Sequence, residues 1–391
     1  MSGMNLALIT QDFPPEVGGI ETYAKELAKR FYRQCNHFLV VAPDKPSAAD
    51  VDGSLPYPVK RIKASNPFLG PKLFLDAPVI FRKHNIEHVF HTQWQTLPAS
   101  VFSRQRGIVK KIFVAAHARE LLFNPFSKVP GLKQWYEWYT RQMLAKVDLF
   151  FPVSEYTRNI LIDHGVEPQR IITVINGTDP DTFFPVDTST ARKKIGISTE
   201  KVVLTITRLV SRKGVDTALR AFRNVLSDHP DSIFVVVGEG PERNALNNLA
   251  VELDIQESVR FVGRVSYQRL NYYYNACTFF VMPSKTDTPN VEGFGIVFLE
   301  ANACAKPVIG TYSGGIPSAV IDGETGLLVE ENNIDELAKA MNRLFLNSAE
   351  AKNMGQKGRE RVLNEANWDV SAAKIYRRME YKIKQNSTFK T

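Results

Sequence analysis

Short apolar runs recur along the first half of the chain, separated by loops that are polar or contain glycine. Runs of this length predict buried β-strands, here at Leu6–Thr10, Phe38–Ala42, Val89–His91, Ile112–Ala116, Phe150–Val153 and Ile171–Ile175. After the first run, a loop rich in proline and glycine leads into Ile20–Phe31, whose apolar residues have helical spacing. The order strand, glycine loop, helix is typical of the start of a doubly wound α/β domain.

The same pattern begins again after residue 200. Further strands are predicted at Val202–Thr207, Ile233–Val237, Val259–Val262, Thr278–Met282, Pro307–Ile309 and Gly326–Val329. Helical spacing follows at Val215–Leu226, Ile334–Phe345 and Trp368–Lys384. Residues 186–200, between the two halves, are polar and charged and contain few apolar residues, which predicts a linker.

This organisation predicts an α/β protein with two Rossmann-like domains, each a doubly wound parallel sheet. We expect an N-terminal domain over residues 1–185, the linker over 186–200 and a C-terminal domain over 201–370. A basic helix at 371–391 is expected to pack back on the N-terminal domain. Because ligand loops lie at the carboxyl ends of such strands, the two domains are expected to face each other across a cleft that holds the active site.

Composition narrows the class of protein. The chain has 391 residues, of which 44% are hydrophobic and 23% charged, as in soluble globular proteins of more than one domain. It has no apolar run long enough to span a bilayer and no signal-peptide pattern, so we expect a cytoplasmic protein. The three cysteines are scattered, which favours free thiols. A net charge of +8 without a nucleic-acid-binding motif favours phosphate-bearing small molecules or an anionic membrane surface.

Two carboxylates bracket a glycine turn and the start of an apolar helix in Val291–Glu300. The Gly-Phe-Gly turn lets backbone N–H groups approach a ligand, and the helix directs its positive end toward an anion such as phosphate. Glu300, further along the helix, is placed to reach a sugar hydroxyl. The alternative is a surface loop with solvated acids that leads into a core helix.

A second loop offers cations at a strand end. Arg208–Gly214 follows a predicted strand and opens a helix. The Arg208 guanidinium suits phosphate oxygens, and Lys213 adds a second positive charge. Together they would hold a diphosphate and stabilise the charge that develops as it leaves. The alternative is a solvated basic loop.

Weaker signals lie at other strand ends. Gly238 lies in a Gly-x-Gly-Pro turn, whose alternative is an ordinary strand-to-helix turn. Gly18 and Gly19 in the first loop would let the backbone approach a phosphate. His117 follows a predicted strand, where a lone histidine is also compatible with a structural role. We find no metal-binding cluster of His, Cys and Asp and no serine nucleophile turn.

Taken in order with Val153-Ser-Glu, Asn176-Gly-Thr-Asp and Ser313-Gly-Gly-Ile-Pro, these motifs resemble the retaining GT-B glycosyltransferases of family 4, also called glycosyltransferase group 1. The resemblance covers nearly the whole chain. It implies transfer of a hexose of the mannose or glucose type from a nucleoside-diphosphate sugar to a hydroxyl acceptor with retention of configuration. The acceptor is expected to be lipid-linked or a glycan, in the synthesis of envelope glycoconjugates. It also implies that no divalent metal or other cofactor is required.

The resemblance assigns roles to individual positions. The residues expected to take part in catalysis are His117 near the transferred sugar, Arg208 and Lys213 at the diphosphate, and Glu292 at the donor sugar. The residues expected to bind the donor are Gly18, Gly19, Gly238, Gly263, Arg264, Val265, Phe294, Gly295, Ile296, Val297 and, at the ribose, Glu300. Within the family, Glu292–Glu300 and His117–Glu120 are most similar to bacterial mannosyltransferases that use GDP-mannose and lipid acceptors, so GDP is favoured over UDP.

The first half has two basic clusters, at Lys60–Lys63 and Arg104–Lys111, and two segments that mix aromatic with basic residues, at Phe68–Phe74 and Leu121–Trp138. This composition predicts peripheral contact with an anionic membrane, and the alternative is a solvated basic face over core aromatics. Rival functions remain open: a sugar-nucleotide epimerase of the same fold, a sugar-nucleotide-binding protein without catalysis, and a nicotinamide dehydrogenase. The last is weakened because Gly18-Gly19 lacks the full dinucleotide-binding spacing. The sequence does not predict an oligomeric state.

Overall fold

The computed structural model describes residues 3–16, 18–64 and 69–385. The chain forms two compact units. Unit 1 contains residues 1–176 together with the C-terminal segment from Trp368, and unit 2 contains Gly177–Asn367.

Unit 1 is built on a parallel sheet that has six strands within the described residues, in the order β3-β2-β1-β4-β5-β6. Its strands are β1 (Asn5–Ile9), β2 (His37–Pro43), β3 (Val59–Ile62), β4 (His88–His91), β5 (Lys111–Ala116) and β6 (Leu149–Pro152). Its helices before unit 2 are α1 (Gly19–Phe31), α2 (Ala48–Asp52), α3 (Leu69–Lys83), α4 (Leu97–Gln105), α5 (Arg119–Leu122), α6 (Leu132–Leu144) and α7 (Glu155–Asp163).

The apolar runs become central strands because helices cover both faces of a parallel sheet. In β1, Leu6 pairs with Phe38 of β2 on one side and His88 of β4 on the other. Right-handed crossovers place α1 on one face, where the chain moves outward from β1 to β2. They place α3, α4 and α6 on the opposite face, where the chain moves from β3 across to β6.

Unit 2 repeats this architecture with a parallel sheet in the order β12-β11-β10-β7-β8-β9, six strands within the described part of the chain. Its strands are β7 (Val202–Ile206), β8 (Ile233–Val237), β9 (Val259–Gly263), β10 (Phe279–Val281), β11 (Val308–Thr311) and β12 (Gly326–Val329). Its helices are α8 (Thr188–Ile195), α9 (Val215–Leu226), α10 (Arg243–Glu252), α11 (Tyr267–Ala276), α12 (Ile296–Ala303), α13 (Ile316–Ala319), α14 (Ile334–Leu346) and α15 (Ser348–Asn364).

The last described helix, α16 (Trp368–Lys384), belongs to unit 1 and packs against α1. Trp368 is fully buried and packs edge-on against Tyr23 of α1, with ring centroids 5.9 Å apart. An ion pair of 2.7 Å joins Arg30 of α1 to Asp369. The chain thus returns to unit 1 at Trp368, three residues before the helix that the sequence placed at 371–391.

The predicted linker is wrong in one respect. Residues 186–200 lie within unit 2, whose boundary with unit 1 falls after Asn176 rather than at 185. The segment contains helix α8, which is capped by Asp187 and packs against α11. Two turns of helix need only two buried side chains, Ala191 and Ile195, so a short docked helix has the polar composition expected of a linker.

The strand predicted at Ile171–Ile175 is also not a member of the sheet. The segment forms one isolated bridge, between Ile171 and Phe150, and the N–H groups of Ile172 and Val174 donate to carbonyls of β6. Its other edge meets α16 instead of another strand, since the Ser371 hydroxyl donates to the Ile175 carbonyl oxygen at 2.9 Å. An apolar run of strand length therefore occurs past the sheet's last strand.

None of the helices in residues 3–16, 18–64 and 69–385 is long and apolar enough to cross a bilayer. The three cysteines are free, and two of them, Cys277 and Cys304, are buried in unit 2. Burial raises the pKa of the Cys277 thiol to about 12, which keeps it protonated and unreactive.

Candidate active site

In unit 2, the strand order reverses between β7 and β10. From β7 the chain moves outward through β8 to β9, and it then returns to the other side of β7 with β10. The loops after β7 and β10 therefore leave neighbouring strands at one sheet edge and diverge, which is where open α/β sheets bind their ligands. These loops carry Lys213 and Glu292, both predicted from the sequence.

An ion cluster joins the two loops. The Lys213 ammonium contacts Oε2 of Glu292, and Nη1 of Arg212 lies 3.0 Å from the same oxygen. Nζ of Lys213 also lies 3.7 Å from Sδ of Met282, the residue that follows β10. The Lys213 and Glu292 side chains are largely buried, and that of Arg212 is 27% exposed. Two cations share one carboxylate, which leaves a surplus positive charge for an anion.

The electrostatics of Glu292 follow from this cluster. Burial by itself would raise the pKa of Glu292, but the charges of Lys213 and Arg212 outweigh burial and hold the pKa below its ordinary value. Glu292 is therefore ionised at neutral pH. Its backbone is fixed as well, because its carbonyl oxygen accepts a hydrogen bond of 2.8 Å from the N–H of Gly315.

The close approach of the two loops depends on Gly214. This residue has a φ of +68°, and a Cβ atom there would overlap the carbonyl oxygen of Pro283. The N–H of Lys285 donates to the Arg212 carbonyl oxygen at 2.8 Å and ties the loops together at a second point. A larger residue at position 214 would push Lys213 away from Glu292.

The other predicted cation, Arg208, has different surroundings. Its side chain is exposed and makes no hydrogen bond or ion pair with the residues that the structure describes. The structure therefore leaves Arg208 outside the ion cluster, and Arg212 is the second cation that contacts Glu292. Sequence reasoning passed over Arg212, although its position directly before Lys213 in the same strand-end loop was a usable signal.

Gly295 turns the chain from the Glu292 loop into α12. It caps the helix with a φ of +90°, and the Phe294 side chain before it is buried. The N–H groups of the first helical turn, which includes Ile296 and Val297, have no acceptor within the helix. They carry the positive end of the helix dipole, so this turn can bind an anion.

Glu300 lies further along α12 with its carboxyl group buried. The hydroxyl of Tyr274 donates to Oε2 at 2.6 Å, and Oε1 accepts no hydrogen bond from the described residues. Burial raises the pKa of Glu300 to about 7, and the bond from Tyr274 opposes that rise. One oxygen is thus left for a ligand hydroxyl, and its ionisation falls in the neutral range.

The residues predicted to lie along the nucleotide stand at or just after the ends of two further strands, β8 and β9: Gly238, Gly263, Arg264 and Val265. The Gly238 N–H donates to the Gly263 carbonyl oxygen at 2.9 Å, so the two strand ends meet. Arg264 is exposed and Val265 is half-buried. The N–H of Leu209 donates to the Glu239 carbonyl oxygen at 2.9 Å, which connects this turn to the Arg208 loop.

In unit 1, the strand order reverses between β1 and β4. The loop after β1 contains Gly18, and α1 begins at Gly19. Tyr23, one turn into α1, packs edge-on against the imidazole of His117, with ring centroids 4.8 Å apart. The glycine loop and His117 therefore lie together at the carboxyl end of this sheet.

The His117 ring is uncharged at neutral pH. Burial lowers the pKa of His117 to about 4, and a hydrogen bond with the Thr92 backbone opposes that shift. Its Nε2 atom is buried and has no partner among the described residues. Its backbone N–H donates to Oε1 of Glu120 at 2.6 Å. At neutral pH the ring can therefore exchange a hydrogen bond with a hydroxyl, but it carries no charge.

Three carboxylates of the glycine loop and the first turn of α1 converge, which the sequence did not predict. Asp12, Glu16 and Glu21 each place an oxygen within 4.8 Å of the other two. Glu16 is also paired with Lys45 at 2.7 Å. Burial raises the pKa values of Asp12 and Glu21. The residues are spread over a loop and a helix start, so no fixed spacing identified them.

The fold and these strand-end loops define the class, and family models agree with it. The model of Glycosyltransferase Family 4 matches residues 17–182, and the model of Glycosyl transferases group 1 matches residues 187–361. The protein is therefore a glycosyltransferase of the two-sheet GT-B fold, as predicted.

Relatives match along nearly the whole chain. A mannosyltransferase of Corynebacterium glutamicum is 31% identical over 378 residues, which cover 94% of this chain and 96% of the relative. It is named GDP-mannose-dependent monoacylated α-(1-6)-phosphatidylinositol monomannoside mannosyltransferase. A Mycobacterium tuberculosis enzyme, named as a GDP-mannose-dependent α-(1-6)-phosphatidylinositol monomannoside mannosyltransferase, is 30% identical over 94% of this chain and 96% of its own length. The chain belongs to glycosyltransferase family 4, which confirms the family predicted from the motifs.

Solved structures share the fold. Sucrose-phosphate synthase from Thermosynechococcus elongatus superposes with a TM-score of 0.82 and 24% identity, over 97% of this chain and 99% of that one. Anabaena HepE, solved in complex with UDP, superposes with a TM-score of 0.81 and 19% identity, over 97% and 100% of the two chains.

Proposed function

We propose that this protein is a retaining, metal-independent mannosyltransferase that uses GDP-mannose and a lipid-linked hydroxyl acceptor. The observation that carries the proposal is the cluster of Lys213, Arg212 and Glu292 at the strand-order reversal of unit 2. The names of the corynebacterial and mycobacterial relatives support GDP-mannose and a glycolipid acceptor. A nucleotide-sugar donor would place the reaction in the cytoplasm, at the inner face of the membrane.

In this proposal, unit 2 holds the donor. Lys213 and Arg208 would bind the diphosphate, and the first turn of α12 would add its N–H groups. Arg212 would keep Glu292 ionised and oriented toward the hexose. Glu300 would accept a ribose hydroxyl on its free oxygen, with Tyr274 fixing the other.

The chemistry follows from the leaving group. The bond between the anomeric carbon and the diphosphate oxygen breaks, and a bond to the acceptor oxygen forms on the same face of the sugar. The acceptor proton passes to an oxygen of the departing phosphate. Lys213 and Arg208 stabilise the negative charge that develops on the diphosphate as the bond breaks. Because this charge develops in the transition state, the two cations lower the activation barrier of transfer.

For His117 we propose contact with a hydroxyl of the transferred sugar through the unpartnered Nε2 atom. A neutral ring at pH 7 suits this role, because it orients a hydroxyl without altering the charge of the site. Gly19 at the start of α1 would let the backbone approach a phosphate.

The pH dependence of donor binding tests the role of Glu300. GDP-mannose has no phosphate that titrates between pH 6 and 8, so its affinity should follow the carboxyl group, whose pKa is raised to about 7. As pH rises from 6 to 8 the ionised form accumulates, and the dissociation constant should fall by up to about tenfold. Calorimetric titration of wild type and Glu300→Gln would measure this. The variant should bind weakly and without pH dependence, and an unchanged pH profile in the variant would exclude Glu300 as the titrating group.

Metal removal tests the proposed leaving-group chemistry. Because cationic side chains replace a metal at the diphosphate in this proposal, EDTA should leave the transfer rate unchanged within about twofold. The carboxylates of Asp12, Glu16 and Glu21 lie close enough together to bind a divalent cation, so the measurement also tests whether a metal takes part. Loss of activity that Mg²⁺ or Mn²⁺ restores would show that a metal takes part.

Product analysis tests the whole proposal. The enzyme would be incubated with GDP-mannose and phosphatidylinositol monomannoside, the acceptor class named for the relatives. We expect a lipid that gains one hexose by mass spectrometry and an α linkage by NMR, since the donor is itself α. A β linkage would contradict retention. Recovery of an epimerised GDP-sugar without transfer would favour the epimerase, and binding without turnover would favour the non-catalytic alternative.

A further inference from the structure

Helix α6 of unit 1 turns an apolar stripe toward solvent. Leu132, Trp135 and Trp138 follow one another at three-residue spacing, so they share one face of the helix. Their exposed fractions are 45%, 51% and 57%. The other side of the helix packs inward, where Thr140 and Leu144 are buried and Tyr136 contacts Trp94 with ring centroids 5.9 Å apart. Trp135 stacks on Tyr139 with ring centroids 5.6 Å apart. The helix is therefore held in place by one side, while two tryptophans remain about half exposed on the other.

The segment before α6 extends this stripe. Val129 and Phe123 are about half exposed and lie in the segment between α5 and α6. The amide of Asn124 donates to the Lys133 carbonyl oxygen at 3.2 Å, which places this segment beside the start of α6. We call Phe123, Val129, Leu132, Trp135 and Trp138 the α6 face. Single exposed apolar residues need no explanation, but a contiguous group of this size marks an interaction surface.

Positive charge surrounds the α6 face. Between residues 123 and 146 the sequence has four cations, Lys128, Lys133, Arg141 and Lys146, and one acid, Glu137. All four cations are exposed. The Lys133 ammonium lies 4.0 Å from the Glu137 carboxylate, the outer limit of an ion pair. Tryptophan among basic residues is the composition that settles at the headgroup level of an anionic bilayer.

The other basic segments of unit 1 are partly neutralised by internal ion pairs, and Lys60, Lys63 and Arg106 remain exposed. Arg61, in the Lys60–Lys63 segment, pairs with Asp52 at 2.7 Å. In the Arg104–Lys111 segment, Arg104 and Lys111 share Asp148 at 3.0 and 2.9 Å. In the Phe68–Phe74 segment, Phe68 lies outside the described part of the chain, and Phe74 stacks on Phe102 with ring centroids 4.4 Å apart. Of the segments predicted to meet a membrane, the one that contains the α6 face combines exposed cations with exposed tryptophans.

A second helix of the same layer continues the surface. Helices α3, α4 and α6 cover one side of the sheet, and α4 packs against both others. On α3, Leu75 and Val79 are spaced four residues apart and are 69% and 67% exposed. The exposed apolar residues of α3 and α6 therefore belong to one side of unit 1.

We propose that unit 1 docks reversibly on an anionic bilayer through the α6 face, with Trp135 and Trp138 at the headgroup level and the surrounding cations on lipid phosphates. Its biological meaning rests on the lipid-linked acceptor of the proposed function, but the binding itself needs neither donor nor acceptor. A transferase with a soluble acceptor would not extend phosphatidylinositol monomannoside but could still bind vesicles. The two experiments therefore distinguish failure of the proposed function from failure of the membrane proposal.

The test uses vesicle flotation of the full chain with phosphatidylcholine alone and with 30% phosphatidylglycerol. Wild type should float with the anionic vesicles, and Trp135→Ser/Trp138→Ser should lower the partition coefficient at least tenfold. The matched control is Tyr381→Ser, because Tyr381 is an equally exposed aromatic on α16, in the helix layer on the other side of the sheet. It should float like wild type. Equal flotation of wild type and the tryptophan variant would overturn the proposal.

Fluorescence provides a second readout. The chain has four tryptophans, and Trp94 and Trp368 are buried at 3% and 1% exposure. Anionic vesicles should therefore shift only the emission of Trp135 and Trp138 to the blue, and brominated lipids should quench it. Absence of shift and quenching would overturn the proposal even if flotation occurs. Concentration-dependent self-association that the Trp135→Ser/Trp138→Ser variant loses, without vesicle binding, would instead assign the α6 face to a second copy.

Discussion

Replacing Lys213 with alanine is expected to lower kcat for hexose transfer by about 10²–10³-fold, the typical effect of removing one group that stabilises transition-state charge. Lys213 is buried beside Glu292 at the strand-order reversal of unit 2, where a departing diphosphate would accumulate charge. The loss should be larger in kcat than in KM for GDP-mannose, because the stabilising interaction grows as the bond breaks. Steady-state kinetics with varied donor would separate the two constants.

The matched control is Lys285→Ala. Lys285 lies on the neighbouring loop after β10 and pairs with Asp216 at 2.9 Å, so the variant removes an equal charge from the same sheet edge. Its kcat should stay within about threefold of wild type, because a partly exposed pair contributes little. Similar losses in both variants would show that general positive potential, and not Lys213 itself, supports the reaction.

Replacing Glu292 with glutamine is expected to cost about 2–3 kcal/mol of stability. The change leaves Lys213 and Arg212 facing a neutral amide, and removing one partner of a fully buried ion pair costs about 3–5 kcal/mol. The cost is smaller here because the amide oxygen still accepts a hydrogen bond and Arg212 is partly exposed. For a unit of this size the melting temperature should fall by about 4–12 °C, measured by calorimetry.

The lowered pKa of Glu292 also predicts how this loss of stability depends on pH. Since the pKa of Glu292 is held below its ordinary value of 4.5, its contribution to stability is fully present above that value and is lost as pH falls below it. The difference between wild type and Glu292→Gln should therefore persist at neutral pH and shrink in acid. Asp216→Asn, in the partly exposed pair with Lys285, should cost less than about 1 kcal/mol. An equally small cost for Glu292→Gln would contradict a charge-balanced cluster.

The sequence predicted the sheets well because buried parallel strands are continuous apolar runs, as in Val202–Thr207 and Ile233–Val237. It failed where a segment's role depends on what packs against it. Residues 171–175 form an apolar run like that of a strand, but α16 occupies the edge where another strand would pair. Residues 186–200 have a linker's composition, but Ala191 and Ile195 are enough to dock a short helix.

Some residues of the candidate site could likewise be predicted from the sequence, and others could not. The spacing of Glu292, Gly295 and Glu300 follows from a turn that enters a helix, so sequence alone could place these residues. Which cation meets Glu292 depends on the course of a loop, and the structure puts Arg212 beside it and leaves Arg208 exposed. The local sequence does not determine which side chains pair across the fold.

The proposed function depends above all on the binding of a nucleotide sugar to unit 2 at the Lys213–Glu292 cluster. The most direct test is the melting temperature of wild type and Lys213→Ala with GDP-mannose, UDP-glucose or ADP-glucose at equal concentrations. A ligand at about 100 times its dissociation constant adds about 2.7 kcal/mol, which corresponds to a rise of about 5–10 °C. GDP-mannose should give the largest rise in wild type and little in Lys213→Ala. No rise with any nucleotide sugar, or an equal rise in both proteins, would contradict binding at this cluster.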